Sequence, residues 1–212
     1  MKKKFLFLVF NFLFLSAAFC EEFSFDEICS GLVKNEITCG SFTQEKKSAS
    51  LKRPLKSSGK YLITKEGVCW KTEKPFNTIL SVTENYIVQI DSYGNKNITD
   101  GSSNEVFGCI AETLSSLFKG SREKLEQNFT VDFSCEDKIW TMALEPKDKT
   151  ISLILKNIFL EGTAENQGEA VFVQLEKMKV VQENDDLIEY EFANQIYKKE
   201  LSDEEKEWFS KN

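Results

Sequence analysis

The chain has 212 residues, of which 41% are hydrophobic, with a formal net charge of -7 and no histidine. A pI near 5.0 excludes a phosphate-backbone partner, which needs a basic surface, so no nucleic acid is expected. The missing histidine removes every Ser-His and Cys-His nucleophile and the usual zinc ligand sets, and no glycine-rich phosphate loop occurs.

Residues 1–20 open with Lys2, Lys3 and Lys4, continue through an apolar run from Phe5 to Leu15, and close on Ser16, Ala17 and Ala18 before acid. That order is the n-region, h-region and cleavage site of a secretory signal, and the run is shorter than the ~20 residues of a membrane-spanning helix. Cleavage after Ala18 and cleavage after Cys20 both satisfy the small-residue rule. Retention and lipidation of Cys20 is the alternative, against which stands the bulky Phe19 before it. Residues 21–212, with Gly 10 and Pro 3 and no repeat, have the size of one domain.

Ser24 and Glu27 have capping-box spacing, and Phe25, Ile28, Leu32 and Val33 recur at helical spacing, which predicts a helix over Ser24 to Lys34. From Ile37 the period changes to two. Strands are expected over Ile37 to Lys47, Leu55 to Thr64, Gly67 to Thr72, Asn77 to Thr83, Tyr86 to Asp91 and Lys96 to Thr99, joined by turns short enough to make neighbours antiparallel. Asn104 to Lys119 carries Val106, Phe107, Ile110, Leu114, Leu117 and Phe118 on one face and reads as a second helix ended by Gly120. Strands resume over Phe129 to Cys135, Ile139 to Leu144, Thr150 to Leu160, Ala170 to Val180 and Leu187 to Lys198. Ser202 and Glu205 then open a short terminal helix through Trp208 and Phe209. No strand-helix-strand alternation is present. The order predicts an α+β, mostly β chain: a long antiparallel sheet that curls as it twists, with helices covering its concave face.

Carboxylate pairs exist at Asp185-Asp186 and Glu204-Glu205, but a turn and a helix start are where solvated or capping acids sit, so no catalytic pair and no enzyme is expected. Cys29, Cys39, Cys69, Cys109 and Cys135 remain if Cys20 is cut away. Their spacing assigns no disulfide, and Cys69 and Cys135 lie inside apolar alternation as buried thiols would. No metal or other cofactor is implied. The 18 phenylalanines, many on alternating positions, call for burial or a ligand.

Gly40-Ser-Phe42-Thr-Gln44, then Gly59-Lys-Tyr61-Leu-Ile63, then Gly67-Val-Cys-Trp70 followed by Pro75-Phe76, resemble in order and wording the LolA family of periplasmic outer-membrane lipoprotein carriers. Leu114 to Gly120, Phe129 to Phe133, Trp140 to Pro146 and Ile151 to Gly162 continue the likeness over nearly the whole exported chain. The resemblance implies an unclosed half-barrel with an apolar hollow under helical lids, working as a monomer in the periplasm of a diderm bacterium. It implies acyl chains of lipoproteins as cargo, an inner-membrane donor complex and an outer-membrane acceptor. Tyr61, Ile63, Val68 and Trp70 match positions that line the hollow, with Val88 and Ile90 beside them and Phe107, Ile110, Leu114 and Phe118 on the lid's underside; each is equally well a core residue. Lys65-Glu66 stands where the family carries an Arg-Pro whose arginine latches the lid, so Lys65 is the latch candidate, without the planar guanidinium fork. Pro54-Leu-Lys-Ser57-Ser-Gly59 resembles instead LolA-related proteins of less defined cargo, so a carrier of another lipid or glycolipid, or a non-catalytic envelope scaffold, stands as the alternative.

Overall fold

A computed structural model describes residues 23–33, 37–83, 85–100, 113, 116, 122–168 and 170–211. The strands are β1 (Ile37–Lys47), β2 (Leu55–Ile63), β3 (Gly67–Lys74), β4 (Thr78–Thr83), β5 (Tyr86–Ile90), β6 (Lys96–Asp100), β7 (Phe129–Glu136), β8 (Ile139–Pro146), β9 (Leu155–Gln167), β10 (Ala170–Gln182) and β11 (Leu187–Lys198). The helices among the described residues are α1 (Phe25–Val33), α2 (Arg122–Asn128), α3 (Lys149–Ser152) and α4 (Asp203–Phe209). The predicted helix over Asn104 to Lys119 lies outside the described residues apart from Thr113 and Ser116, both helical and buried. The N-terminal segment 1–20 is likewise outside them.

Both expected capping boxes form. The Ser24 hydroxyl and backbone N–H donate to Glu27 Oε2 at 2.7 and 2.8 Å, and the Ser202 backbone N–H donates to Glu205 Oε2 at 2.9 Å while its hydroxyl accepts from the Glu205 N–H. Two stretches differ from expectation. The run beginning at Thr150 starts as helix α3, because Asp148 caps it, its carboxylate accepting from the Ile151 N–H at 3.2 Å; the strand follows at Leu155 and runs on to Gln167. Helix α2 gives little periodic signal, since only Leu125 of its seven residues is a buried apolar anchor.

All strands join one unclosed antiparallel sheet in the order β6-β5-β4-β3-β2-β1-β11-β10-β9-β8-β7. Two meanders therefore meet at a seam where the first strand pairs with the last, Phe42 opposite Phe192 and Gln44 opposite Tyr190. Residues directly opposite across a ladder share a face. Ile63, Val68, Val82 and Ile87 are successive partners across β2 to β5, and Tyr190, Met178, Leu160 and Met142 across β11 to β8. All belong to one large core with Ile28, Cys29 and Leu32 of α1 and Leu125 of α2, so this face is covered by helices. The half-barrel expectation is met.

The opposite face has a smaller core of its own. Cys39, Leu62 and Cys69 are successive partners there, and Trp208 and Phe209 of α4 pack on them. Helix α4 is tied down at its rim by Lys71 to Glu204 at 2.6 Å, Lys198 to Glu205 at 2.6 Å and the Tyr86 hydroxyl donating to the Phe209 carbonyl at 3.0 Å.

Candidate functional site

Alternation alone puts Phe42, Tyr61 and Trp70 on the helix-covered face, and the seam adds Tyr190 and Phe192 from the far end of the chain. The five rings form a continuous belt. Tyr61 meets Phe192 edge-on at 5.1 Å between centroids, and Phe192 stacks with Tyr190 at 6.0 Å and 4°. Tyr190 lies 6.2 Å from Phe42 and 6.4 Å from Trp70. Such separations are the favourable range for aromatic pairs. Gly40 makes the belt possible where it does, since a Cβ there would stand 2.8 Å from the Tyr61 ring.

Polar tips in the belt are treated differently. The Tyr61 hydroxyl donates to Gln195 Oε1 at 3.3 Å, Gln195 Nε2 donates to the Tyr197 hydroxyl at 2.8 Å, and that hydroxyl donates to the Val173 carbonyl at 3.0 Å. The Tyr190 hydroxyl is buried with no hydrogen-bond partner. Burial raises the pKa of both phenols, so they are neutral donors at any physiological pH.

Helices α1 and α2 lie over this face beside the belt. Gly31 of α1 sits so close to β10 that a Cβ would meet Val173 Cγ2 at 2.3 Å. Phe25 of α1 lies 5.4 Å from Phe133 of β7, and Arg122 of α2 covers Phe25 at 4.9 Å while donating to Asp26 at 2.7 Å and Glu126 at 2.9 Å. One arginine thus joins the two helices through exposed contacts.

Of the residues singled out from sequence, Tyr61, Ile63, Val68 and Trp70 come together on the helix-covered face, at most 4% exposed. Val88 and Ile90 do not join them. Val88 pairs with Ser81, itself opposite Cys69, and Ile90 with Ile79, itself opposite Lys71, so both project to the α4 side. The physical reason is that Ile87 and Val88 are both apolar: alternation is silent where each face is covered, and Ile87 is the residue that faces the belt. Phe107, Ile110, Leu114 and Phe118 lie outside the described residues. Lys65 is exposed in the β2–β3 turn, which is fixed by the Thr64 hydroxyl accepting from the Glu66 and Gly67 N–H groups at 3.0 and 3.2 Å. Phe42, Tyr190 and Phe192 were missed, because nothing in the sequence says that β1 and β11 are neighbours.

The face opposite α1 and α2 carries a groove of about 1010 Å³ that crosses the sheet from β7 to the end of β3. Its walls are cross-strand ion pairs such as Lys177–Glu161 at 2.6 Å and Lys56–Glu45 at 2.9 Å, with Lys179 over the Phe159 ring at 5.9 Å. Lysines and carboxylates line it in equal number, which makes it a charge-balanced surface. Among the described residues no cluster of His, Cys, Asp and Glu suits a metal ion, and the one buried carboxylate, Asp186, sits in the β10–β11 turn 3.8 Å from Lys46.

The family model of the outer membrane lipoprotein carrier protein LolA matches residues 35–205. The chain belongs to the LolA family. A comparison with curated proteins finds no match. Among solved structures, a DUF1329 family protein from Desulfovibrio piger has a TM-score of 0.48 at 8% identity, over 82% of this chain and 91% of that one. A LolA superfamily protein from Nitrosomonas europaea has a TM-score of 0.42 at 7% identity, over 84% and 93%. LolA membership supports lipoprotein or lipid binding at the level of the family, whose members are non-catalytic carriers in the periplasm. No helix among the described residues is long and apolar enough to cross a membrane.

Proposed function

We propose that this LolA-family protein is a periplasmic carrier that shelters the acyl chains of lipoproteins on the helix-covered face of its half-barrel and shuttles them from the inner to the outer membrane. Residues 1–20 are its cleaved export signal, and 21–212 the carrier domain, working as a monomer without catalysis. The observation that carries the reading is the aromatic belt across the seam: a broad face of buried apolar and aromatic side chains under helices joined at their rim by Arg122. Each methylene moved from water onto such a face contributes about 0.8 kcal/mol, so an acyl chain of ordinary length supplies the free energy to displace a helical cover. Tyr61, Ile63, Val68 and Trp70 line the binding face, joined by Phe42, Ile87, Tyr190 and Phe192. Phe107, Ile110, Leu114 and Phe118 form the underside of the cover, and Lys65 contributes a charge at its rim.

The test is uptake. Delipidated protein is expected to bind a fluorescent fatty-acid probe and to retain an acylated lipopeptide in native mass spectrometry, and its depletion in the parent organism to leave lipoproteins in the inner membrane. A folded protein that takes up no acyl chain overturns the carrier reading in favour of a scaffold of the same fold. Retention of a phospholipid or glycolipid alone reassigns the cargo.

A further inference from the structure

Tyr190 is 2% exposed, ringed by Phe42, Trp70 and Phe192, and its hydroxyl meets no acceptor. Buried phenols normally find one. Tyr61 shows that this same face supplies one where the hydroxyl is structural, through the Gln195 and Tyr197 chain that ends on the Val173 carbonyl. A phenylalanine at 190 would give the same stacking without leaving a donor unsatisfied in an apolar surrounding, where the loss is greatest. The donor therefore has a use outside the ligand-free fold.

Resting on the carrier reading, we propose that Tyr190 is the polar hook of the site: its hydroxyl donates a hydrogen bond to the ester carbonyl of an acyl chain laid across the seam. An acyl ester is apolar everywhere except at that carbonyl, which carries acceptors and no donor. A neutral donor set within a belt of rings fits that pattern, and a cation would not, because burying a charge without a counter-charge is costly. The hook fixes how far a chain slides in, so that the ester stops level with Tyr190 and the hydrocarbon runs on under the helices. Fixing depth with one polar group in an apolar pocket is how such pockets gain specificity.

The test compares methyl palmitate with an alkane of matching length, each displacing a fluorescent fatty-acid probe from wild-type protein and from Tyr190→Phe. Wild type is expected to bind the ester about tenfold more tightly than Tyr190→Phe does, the effect of one buried hydrogen bond, while the alkane binds both proteins alike. The ester C=O stretch of the bound ligand is expected at lower wavenumber in wild type than in the variant. Ligand-free Tyr190→Phe is expected to melt no lower than wild type. A lowered melting temperature, or an ester affinity that survives the substitution, overturns the hook. Equal binding of the ester by wild type and by Tyr190→Phe overturns the hook and leaves the carrier standing; binding of neither ester nor alkane by wild type overturns both. Repeating the comparison with an acylated lipopeptide and with a phospholipid of the same chains identifies which ester is gripped: loss of affinity for either supports the hook, and loss for neither overturns it.

Discussion

Gly162 shows how closely single positions are specified. It lies opposite Trp140 on β8, whose indole N–H donates to the carbonyls of Thr163 and Gln174 at 3.2 Å each, and a Cβ at 162 would stand 1.9 Å from the Gln174 carbonyl and 2.5 Å from the indole. Gly162→Ala must push Trp140 out of its place or break that ladder, and overpacking of this kind costs about 1–3 kcal/mol, to be read as a lower urea midpoint with an unchanged slope. The thiols make a second residue-scale case. Cys29, Cys39, Cys69 and Cys135 are buried and unbridged, and burial pushes the Cys69 thiol up to about 12 and Cys29 up to about 11, so the reactive thiolate is scarce at neutral pH. Iodoacetamide applied to native protein at pH 8 is expected to leave all four unmodified in a peptide map, and applied in urea to modify them all. The buried character of Cys69 and Cys135 was legible from apolar alternation. The facing of Val88 and Ile90 was not, because a strand covered on both sides carries no polar face to mark its phase.

At the scale of elements, α4 is a short helix whose attachment depends on charge. Glu205 caps its start and bonds Lys198; burial opposes its charge, but the hydrogen bonds from Lys198 and Ser202 outweigh that and hold its carboxyl below the ordinary 4.5. A carboxylate whose pKa is lowered by folding contributes stability above the unfolded value and loses it as pH falls through the folded one. The melting temperature is therefore expected to fall as pH drops below about 4.5. Glu205→Gln, which preserves the capping geometry, should be less stable than wild type at pH 6 and approach it at pH 3. Both capping boxes and most strand limits could be read from sequence, since a box is a local pattern and hairpins are punctuated by turns. Helix α3 could not, because Thr150-Ile-Ser-Leu-Ile-Leu alternates like a strand and only Asp148, a residue before the run, marks the helical turn.

At the scale of the whole molecule the decisive contact is the seam. The meander β1 to β6 and the meander β7 to β11 share one helix-covered core only because β1 pairs with β11 along nearly its full length. The two halves are expected to unfold together, so that amide exchange in β3 and in β8 converges on one global free energy as urea is added. Phe42→Ala, which empties a ring position on the seam, should lower both by the same amount, about 3–5 kcal/mol. Exchange that falls in β3 alone would show that the halves are separable. The curved sheet and its helical cover were legible from element order and from the resemblance of Phe42, Gly59, Tyr61 and Trp70 to LolA. The full belt was not, since Phe42 and Phe192 are brought together by a pairing that spans the chain, and periodicity reports faces within strands, never neighbours between them.

That pairing also dictates the order in which the molecule can be completed. Strand β11 ends at Lys198 in a chain of 212 residues, yet it occupies the middle of the sheet, flanked by β1 and β10. A chain interrupted before Leu187 therefore presents β1 and β10 as raw edges in addition to β6 and β7, each a template for pairing with another chain. The keystone follows every other strand of this sheet in chain order, so protein truncated before Leu187 is expected to aggregate through those edges, as read by light scattering against the full-length chain.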